Sequence, residues 1–355
     1  MSPVKPVNRA AWLDGKGLPL KIYESPYKSP APNEILIKNA AVAINLVDCV
    51  IPVLGTDLFP SLKFPHILGS DIAGEVVEVG TDVTRFKKGD RVLAYCNGLG
   101  SGSTSSAFQD YSPVLEHLVS HIPSSISYES ASVIPLPFVT AAYGLFDEKN
   151  CGLQYPSPTI APTGKYVFIG GGSSSVGSNA IQLAIFAGYK VITTASPMNF
   201  DYVKKLGASE VFDYKSETVI EDLIKAFEGK TVAGALGTNR GSPRLCAHVL
   251  SKSQGVKHYL SCVGPIEPED SVEGVTGEFY VASPFPDSDI GKYAFKFLEE
   301  VLEKGKYVAS PEPEVIGKGL ESFQFALETL RERMDSRITN GAPCKKVTTK
   351  LVVTL

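Results

Sequence analysis

The chain has 355 residues, with 34 Lys and Arg against 38 Asp and Glu, so its formal net charge is −4. This slightly acidic balance, without a basic face or a Lys/Arg cluster, argues against a nucleic-acid partner. Its length suggests two domains, and its composition is that of an ordinary globular protein.

The sequence also predicts a cytoplasmic protein without a membrane partner. The N-terminus has no apolar core of signal-peptide length, and no uninterrupted apolar run is long enough to span a bilayer. The cysteines form no C-x-x-C pair, which fits reduced thiols better than disulfides or a zinc knuckle. They are scattered at Cys49, Cys96, Cys151, Cys246, Cys262 and Cys344.

The first third of the chain predicts short strands separated by Gly, Pro and Asp. Residues 35–38, 40–44 and 75–80 have strand patterns, and residues 45–48 interrupt the apolar run. This rhythm favours an irregular β-domain or barrel. Residues 97–106 predict a Gly/Ser loop, and residues 130–146 predict a helix.

Residues 165–184 predict a strand, a glycine turn and a helix. The apolar run 166–169 ends at three glycines, and serines that can cap the next helix follow. This arrangement presents backbone N–H groups to an anion, and a dinucleotide pyrophosphate is the natural ligand. A glycine-rich turn without any ligand stays open as the alternative.

The dinucleotide fingerprint G-x-G-x-x-G is imperfect here because Ser174 replaces its middle glycine. A small side chain is tolerable where the backbone approaches the pyrophosphate. The six positions are Gly172, Ser173, Ser174, Ser175, Val176 and Gly177.

Alternating strands and helices follow, as a parallel doubly wound sheet requires. Strands are predicted at 191–194, 210–214 and 256–261, and helices at 200–206, 218–227, 294–302 and 319–333. The last residues, 347–355, alternate as a closing strand that suits a terminus returning to the first domain.

The whole chain resembles the medium-chain dehydrogenase/reductase superfamily, in its zinc-free quinone/enoyl reductase branch. The matching segments are AINLVD at 43–48, GSDIAG at 69–74, GDRV at 89–92, AFQDY at 107–111 and the glycine turn. ASPMNFD at 195–201 and GASEVFDY at 207–214 are similar to fungal trans-acting enoyl reductases of polyketide pathways. The resemblance implies an α/β fold. A GroES-like irregular β-barrel substrate domain (1–128 and 306–355) would accompany a Rossmann dinucleotide-binding domain (129–305), with the cofactor in the cleft between them.

The resemblance also indicates that zinc is missing. Zinc alcohol dehydrogenases bind their catalytic metal through Cys, His and Cys, and the matching positions here are Asn45, Ser70 and Leu136. None of these supplies a ligand that zinc prefers, and the structural-zinc lobe of four cysteines is absent. Asp48 and Asp71 remain, and we expect them to make turn-forming hydrogen bonds.

The predicted cofactor is NADPH, because the second strand ends Thr-Thr-Ala-Ser without the acid that NAD binders place there. Lys204 or Lys205 could add positive charge, although we favour an ordinary surface position on a helix for either one. The resemblance implies cofactor contacts at Gly171, Gly172, Ser173, Ser174, Ser175, Val176, Gly177, Ser196, Asn199, Tyr214, Ser261 and Val263, of which Ser196 and Tyr214 meet the 2′-phosphate and Ser261 and Val263 the nicotinamide.

The predicted reaction is hydride transfer to the activated C=C of a small enone, enal, quinone or enoyl substrate, with a hydrogen-bond donor stabilising the enolate. Asn45 is the best donor candidate, and Thr140 and Tyr143 lie on the helix that matches the cleft helix of the family. Structural roles, a strand bend for Asn45 and core packing for the other two, stay open.

One departure concerns Val50, because the fungal group often carries Lys at this position. We expect a changed pocket polarity and a substrate without a carrier-protein thioester. Two alternatives remain: a trans-acting enoyl reductase that docks on a polyketide synthase, and a non-catalytic NADPH-binding protein.

Overall fold

The computed structural model describes residues 6–339 and 348–355, and within α10 the side chains only as far as residue 334. The chain forms two compact units: Met1–Leu136, Glu312–Cys344 and Thr349–Leu355 in unit 1, and Pro137–Pro311 and Lys345–Thr348 in unit 2. Every helix in the described part is too short or too polar to cross a lipid bilayer.

The elements up to residue 146 are β1 (Asn8–Leu13), β2 (Leu20–Ser25), β3 (Glu34–Ala43), α1 (Leu46–Leu54), β4 (His66–Ile67), β5 (Asp71–Val79), β6 (Arg91–Tyr95), α2 (Gly98–Ser101), β7 (Tyr111–Leu115), β8 (Val119–His121), α3 (Tyr128–Ser132) and α4 (Pro135–Phe146). The later elements are β9 (Tyr166–Gly170), α5 (Ser175–Phe186), β10 (Lys190–Ala195), α6 (Phe200–Lys205), β11 (Glu210–Asp213), α7 (Val219–Ala226), β12 (Thr231–Gly237), α8 (Ser242–Lys252), β13 (Gln254–Gly255), β14 (His258–Ser261), β15 (Thr276–Phe279), α9 (Asp289–Glu303), β16 (Glu312–Lys318), α10 (Ser322–Thr339) and β17 (Thr349–Thr354).

Unit 1 is built on a seven-stranded sheet in the order β16-β17-β3-β5-β6-β8, with β7 also paired to β3. A three-stranded sheet, β2-β1-β4, accompanies it. The predicted closing strand is confirmed as β17, which pairs antiparallel with β3 so that Val352 faces Ala43. Ala43 in turn faces Asp71 on β5. This register brings the start of α1 to the beginning of β5.

The helix α1 was not predicted, because its β-branched residues favour a strand and the internal Pro52 disfavours a helix. Its start carries a local signal, since Asn45 and Asp48 form a capping box in which Asp48 accepts from the backbone N–H of Asn45 at 2.8 Å. Two other predictions were too coarse. The predicted loop 97–106 contains the short helix α2, and the helix predicted over 130–146 is two helices, α3 and α4.

Unit 2 is organised around a parallel sheet in the order β11-β10-β9-β12-β14-β15. Numbered from β9 and leaving out the two-residue β13, this order is that of a dinucleotide-binding fold, whose strand sequence reverses between β9 and β12. Phe168, Leu223 and Phe227 belong to a buried apolar cluster on this sheet. The predicted doubly wound α/β architecture is confirmed, and ligands of such sheets bind beyond the carboxyl ends of the strands at the reversal.

Candidate active site

The turn between β9 and α5 is packed so closely that it requires glycine. Gly171 has φ +87°, a conformation that side chains disfavour. A Cβ on Gly172 would lie 2.3 Å from Thr193 Oγ1, and one on Gly177 would lie 2.3 Å from the carbonyl oxygen of Gly171. The turn therefore presents backbone where other residues would present side chains.

Ser174 begins α5 as its N-cap, and its hydroxyl accepts from the N–H of Gly177 at 2.9 Å. The same hydroxyl lies 2.8 Å from Thr238 Oγ1, just after β12. The described contacts assign no acceptor to the N–H groups of Ser173, Ser175 and Val176. Such donors at a helix N-terminus suit a pyrophosphate. Thr238 was not predicted, because its only local signal is its place after a strand.

A group of hydroxyls surrounds the buried amide of Asn199, which keeps 1% of its surface exposed. Its Nδ2 donates to Ser196 Oγ at 3.0 Å and lies 3.5 Å from both Ser173 Oγ and Thr348 Oγ1. The structure thus brings together three predicted cofactor residues, Ser173, Ser196 and Asn199. Thr348 was not predicted, because it comes from the far end of the chain.

Tyr214 follows β11 and keeps 38% of its surface exposed. Because Ala195 and Asp213 are register partners, Ser196 and Tyr214 both leave the sheet at the same edge. The ammonium of Lys215 lies 5.9 Å from the centre of the Tyr214 ring. This edge therefore combines hydroxyls, an amide and a cation, all groups that suit a phosphate.

Ser261 is the last residue of β14 and is fully buried. Its hydroxyl donates to the carbonyl oxygen of Gly264 at 3.2 Å and lies 3.4 Å from the N–H of Val263. These bonds end the strand, so a structural role accounts for Ser261 without a cofactor. Val263 is half-buried.

Thr140 and Tyr143 lie on α4, in unit 2, and both contact Tyr280. The Tyr280 hydroxyl donates to the carbonyl oxygen of Thr140 at 2.8 Å, and the rings of Tyr143 and Tyr280 are 6.3 Å apart. Burial raises the pKa of the Tyr143 phenol, so at neutral pH it remains a hydrogen-bond donor. Tyr280 was missed, since no pattern in the sequence links it to α4.

Asn45 lies in unit 1 within a buried polar cluster that also contains Asp71, Lys350 and Asp48. Its Nδ2 donates to Asp71 Oδ2 at 2.9 Å, and the ammonium of Lys350 contacts the same carboxylate oxygen. The expectation that Asp71 makes a turn is therefore wrong, because it forms a buried ion pair at the start of β5. Lys350 was missed, although a lysine in an otherwise apolar closing strand was an available signal.

Asp48 accepts from two backbone N–H groups, those of Asn45 at 2.8 Å and Gly69 at 3.1 Å. Burial raises the pKa of its carboxyl to about 7, and the neighbouring Asp71 adds to the rise, whereas the bond from Asn45 opposes it. Burial also lowers the pKa of Lys350, against the attraction of Asp71. The capping role confirms that Asp48 shapes the local backbone.

The described residues of unit 1 offer no set of side chains that zinc prefers as ligands. Among residues 6–339 and 348–355, no group of three or more His, Cys, Asp or Glu side chains is arranged to hold a metal. Of the positions that match zinc ligands, Asn45 donates its amide to Asp71, and the backbone N–H of Leu136 donates to Asp71 Oδ1 at 2.5 Å. The cation that faces the Asp71 carboxylate is the Lys350 ammonium.

Comparison with known proteins gives family matches and relatives of similar length. The Alcohol dehydrogenase GroES-like domain family matches residues 31–124, and the Zinc-binding dehydrogenase family matches residues 175–275. The dehydrogenase pigH of Monascus ruber is 44% identical over 362 residues, covering 94% of this chain and 98% of the relative. The trans-enoyl reductase himH of Aspergillus japonicus is 35% identical over 340 residues, covering 93% and 96%.

The Escherichia coli quinone oxidoreductase complexed with NADPH shares the fold, with a TM-score of 0.69 and 21% identity over 98% of this chain and 100% of that one. The two-domain α/β architecture and the family matches agree with the resemblance seen in the sequence. The chain therefore belongs to the medium-chain dehydrogenase/reductase superfamily and is an oxidoreductase similar to proteins named dehydrogenase and trans-enoyl reductase.

Proposed function

We propose that the protein is a cytoplasmic, zinc-free, NADPH-dependent reductase of activated C=C bonds in enones, enals, quinones or enoyl compounds. The observation that carries this proposal is the Asp71–Lys350 pair, which stands among the positions that match zinc ligands. When bound, NADPH supplies the hydride. Addition to the β-carbon of an unsaturated carbonyl needs only hydrogen-bond donors to stabilise the enolate, whereas reduction of the carbonyl itself gains more from a metal.

The turn at Gly171, Gly172 and Gly177 would hold the pyrophosphate, because side chains at these positions would collide with neighbouring atoms. Preference for NADPH over NADH is supported by the end of β10, where Ser196 stands instead of an acid. The neighbouring Asn199 amide and the partly exposed Tyr214 add groups that suit a 2′-phosphate.

Asn45 is the residue we assign to the substrate carbonyl oxygen. One proton of its Nδ2 is used by Asp71, and an amide nitrogen carries two, so a second donor remains. This N–H would stabilise the oxygen as negative charge develops on it. Tyr143, whose burial keeps its phenol protonated, is a candidate to contact substrate or to supply the final proton.

A second candidate, a trans-acting enoyl reductase that works with a polyketide synthase, is favoured by the relative named trans-enoyl reductase. The surface of α1 supports the small-molecule function instead. Leu46, Val53 and Leu54 are exposed and Val50 is half-buried, so the helix presents apolar side chains rather than a lysine. Without a cation at position 50, this helix offers less attraction to a charged carrier arm.

The test is a panel of enones, enals, quinones and acyl thioesters followed at the NADPH absorbance, with NADH in parallel and metal content measured. We expect oxidation of NADPH with free small substrates and no stoichiometric zinc. Activity confined to acyl thioesters would instead support the synthase partner. Tight NADPH binding without oxidation across the panel would support the non-catalytic alternative, and a preference for NADH would contradict the cofactor assignment.

A further inference from the structure

A buried ion pair joins two distant parts of unit 1. Asp71 is fully buried and Lys350 keeps only 4% of its surface exposed. Besides Asp71, the Lys350 ammonium contacts the carbonyl oxygen of Val133 at 3.2 Å. Removing two charges from water is costly, and packed apolar side chains often stabilise a core equally well. The free energy of folding therefore does not by itself explain why these two positions hold an ion pair.

Two groups hold the Asn45 amide in one orientation: the backbone N–H of Asp48 donates to its side chain in the capping box, and the Asp71 carboxylate accepts from its nitrogen. Both oxygens of this carboxylate accept hydrogen bonds, Oδ2 from Asn45 Nδ2 at 2.9 Å and Oδ1 from the backbone N–H of Leu136 at 2.5 Å. An ionised carboxylate can only accept, so only the nitrogen end of the amide can face it. The second proton of Nδ2 is then held in a fixed direction.

We propose that Asp71, held in place by Lys350, is the positioning residue that directs the second N–H of Asn45 toward the substrate oxygen. The proposal rests on the proposed function, in which Asn45 stabilises the enolate. Neither Asp71 nor Lys350 touches the substrate.

Lys350 has a distinct part in this arrangement. An uncompensated carboxylate beside Asn45 would oppose the negative charge that develops on the substrate oxygen. The ammonium balances that carboxylate, so Asp71 can orient the amide without a net negative charge of the pair. The Lys350 ammonium therefore balances the charge of the Asp71 carboxylate, and no metal ion is needed for that purpose.

The first test is Asp71→Asn, in which the new side chain both donates and accepts, so only the capping box with Asp48 still favours one orientation of the Asn45 amide. We expect kcat with an enone to fall roughly 10- to 100-fold, while the Kd for NADPH changes by less than about 2-fold. The matched control is Asn39→Ala. Asn39 is another buried amide of unit 1, bonded to the carbonyl oxygen of Gln109 at 2.7 Å and to Ser112 Oγ at 2.9 Å. It should lower thermal stability without lowering kcat.

Two further variants guard against a failure to fold. Asp71→Asn combined with Lys350→Met removes both charges of the pair, and we expect it to fold and to show the same loss of kcat. Lys350→Arg keeps the positive charge and should retain most of the activity. An unchanged kcat in either Asp71 variant would overturn the proposal. So would a loss that Asn39→Ala reproduces at equal thermal stability.

A readout without turnover separates this proposal from the proposed function. The side-chain amide resonances of Asn45, assigned by their loss in Asn45→Ser, should shift and exchange faster with solvent in Asp71→Asn. If the wild type is an active reductase and these resonances do not respond, the positioning role is wrong. If the resonances respond and the wild type reduces nothing in the panel, the reductase function is wrong and the orientation of Asn45 by Asp71 is supported.

Discussion

The glycine turn of unit 2 and the Asn45 cluster of unit 1 are built in opposite ways. In the turn, Ser174 caps α5 by accepting from the N–H of Gly177, only three residues ahead. The groups that would meet a ligand there are uncharged backbone N–H groups. In the cluster, Asn45 meets Asp71 across 26 residues of sequence and Lys350 meets Asp71 across 279. The turn depends on close packing of backbone, whereas the cluster depends on balanced charge inside a low-dielectric core.

The glycine turn and the Asn45 cluster are therefore sensitive to different substitutions. A turn that works through its backbone fails when a side chain fills its space. A buried ion pair fails when one partner is removed and the other charge is left without compensation. Substitutions can therefore separate the two regions, since they act on different physical terms.

The largest effect is expected for Lys350→Met, which leaves the Asp71 carboxylate buried with hydrogen-bond donors but no opposite charge. We expect the free energy of unfolding to fall by about 3–5 kcal/mol, measured by urea denaturation. The double variant with Asp71→Asn should recover most of this loss. Equal stability of the single and double variants would show that the pair is not the source of the effect.

The second-largest effect is expected for Gly177→Ala, which tests the glycine turn between β9 and α5. The new Cβ would lie 2.3 Å from the carbonyl oxygen of Gly171, a backbone atom that cannot move aside cheaply. We expect a cost of about 1–3 kcal/mol, seen as a roughly 10- to 100-fold rise in the Kd for NADPH by fluorescence titration. Gly15→Ala is the control for glycine loss, because its backbone is not in the left-handed region and the nearest atom to its added Cβ is the end of the Leu18 side chain at 3.3 Å. Wild-type affinity in Gly177→Ala would place the pyrophosphate elsewhere.

The charged cluster also predicts a pH dependence that the turn cannot produce. The folded pKa of Asp48 is about 7 against an ordinary 3.8, so between these values the folded state keeps a proton that the unfolded state releases. The free energy of unfolding should therefore fall as pH rises through this window, by at most about 1.4 kcal/mol per pH unit. Asp48→Asn should flatten that part of the profile. A profile identical to wild type would assign the dependence to other groups.

Ser196→Asp would place a negative charge among the uncharged groups at the end of β10. A carboxylate at the end of β10 would repel a 2′-phosphate and accept from ribose hydroxyls. We expect the ratio of kcat/KM for NADPH to that for NADH to drop about 10-fold. Ser196→Ala is the control, since it removes the hydroxyl beside Asn199 without adding charge. An unchanged ratio in Ser196→Asp would contradict the proposed position of the 2′-phosphate.

The smallest effect is expected for Ser174→Ala, which removes the cap of α5 and the contact with Thr238. The loss should be about 1 kcal/mol in the free energy of unfolding. Ser174→Gly restores the common fingerprint and should lower the free energy of unfolding by only a few tenths of about 1 kcal/mol, since glycine is a tolerable N-cap. A larger loss for Gly than for Ala would mean that the conformational entropy of the unfolded chain, rather than the lost cap, dominates the effect.

Much of the fold was predictable because its elements carry local signals. The strand, glycine turn and helix at residues 165–184, the alternation that follows, and the closing strand β17 are all present. The helix α1 was missed because its β-branched residues favour a strand and Pro52 disfavours a helix interior, and packing in unit 1 overrode both preferences. Cys344 and part of the predicted last strand, from residue 347, lie outside the described residues.

By itself, the sequence determined the fold class, the family and the position of the glycine turn, since each follows from residues close together along the chain. Only the tertiary structure decided that Thr348 reaches Asn199, that Tyr280 contacts Thr140 and that Lys350 balances Asp71. Such contacts join residues more than 100 positions apart. Sheet pairing and core packing create them, and no periodicity in the sequence encodes which distant side chain will meet a given charge.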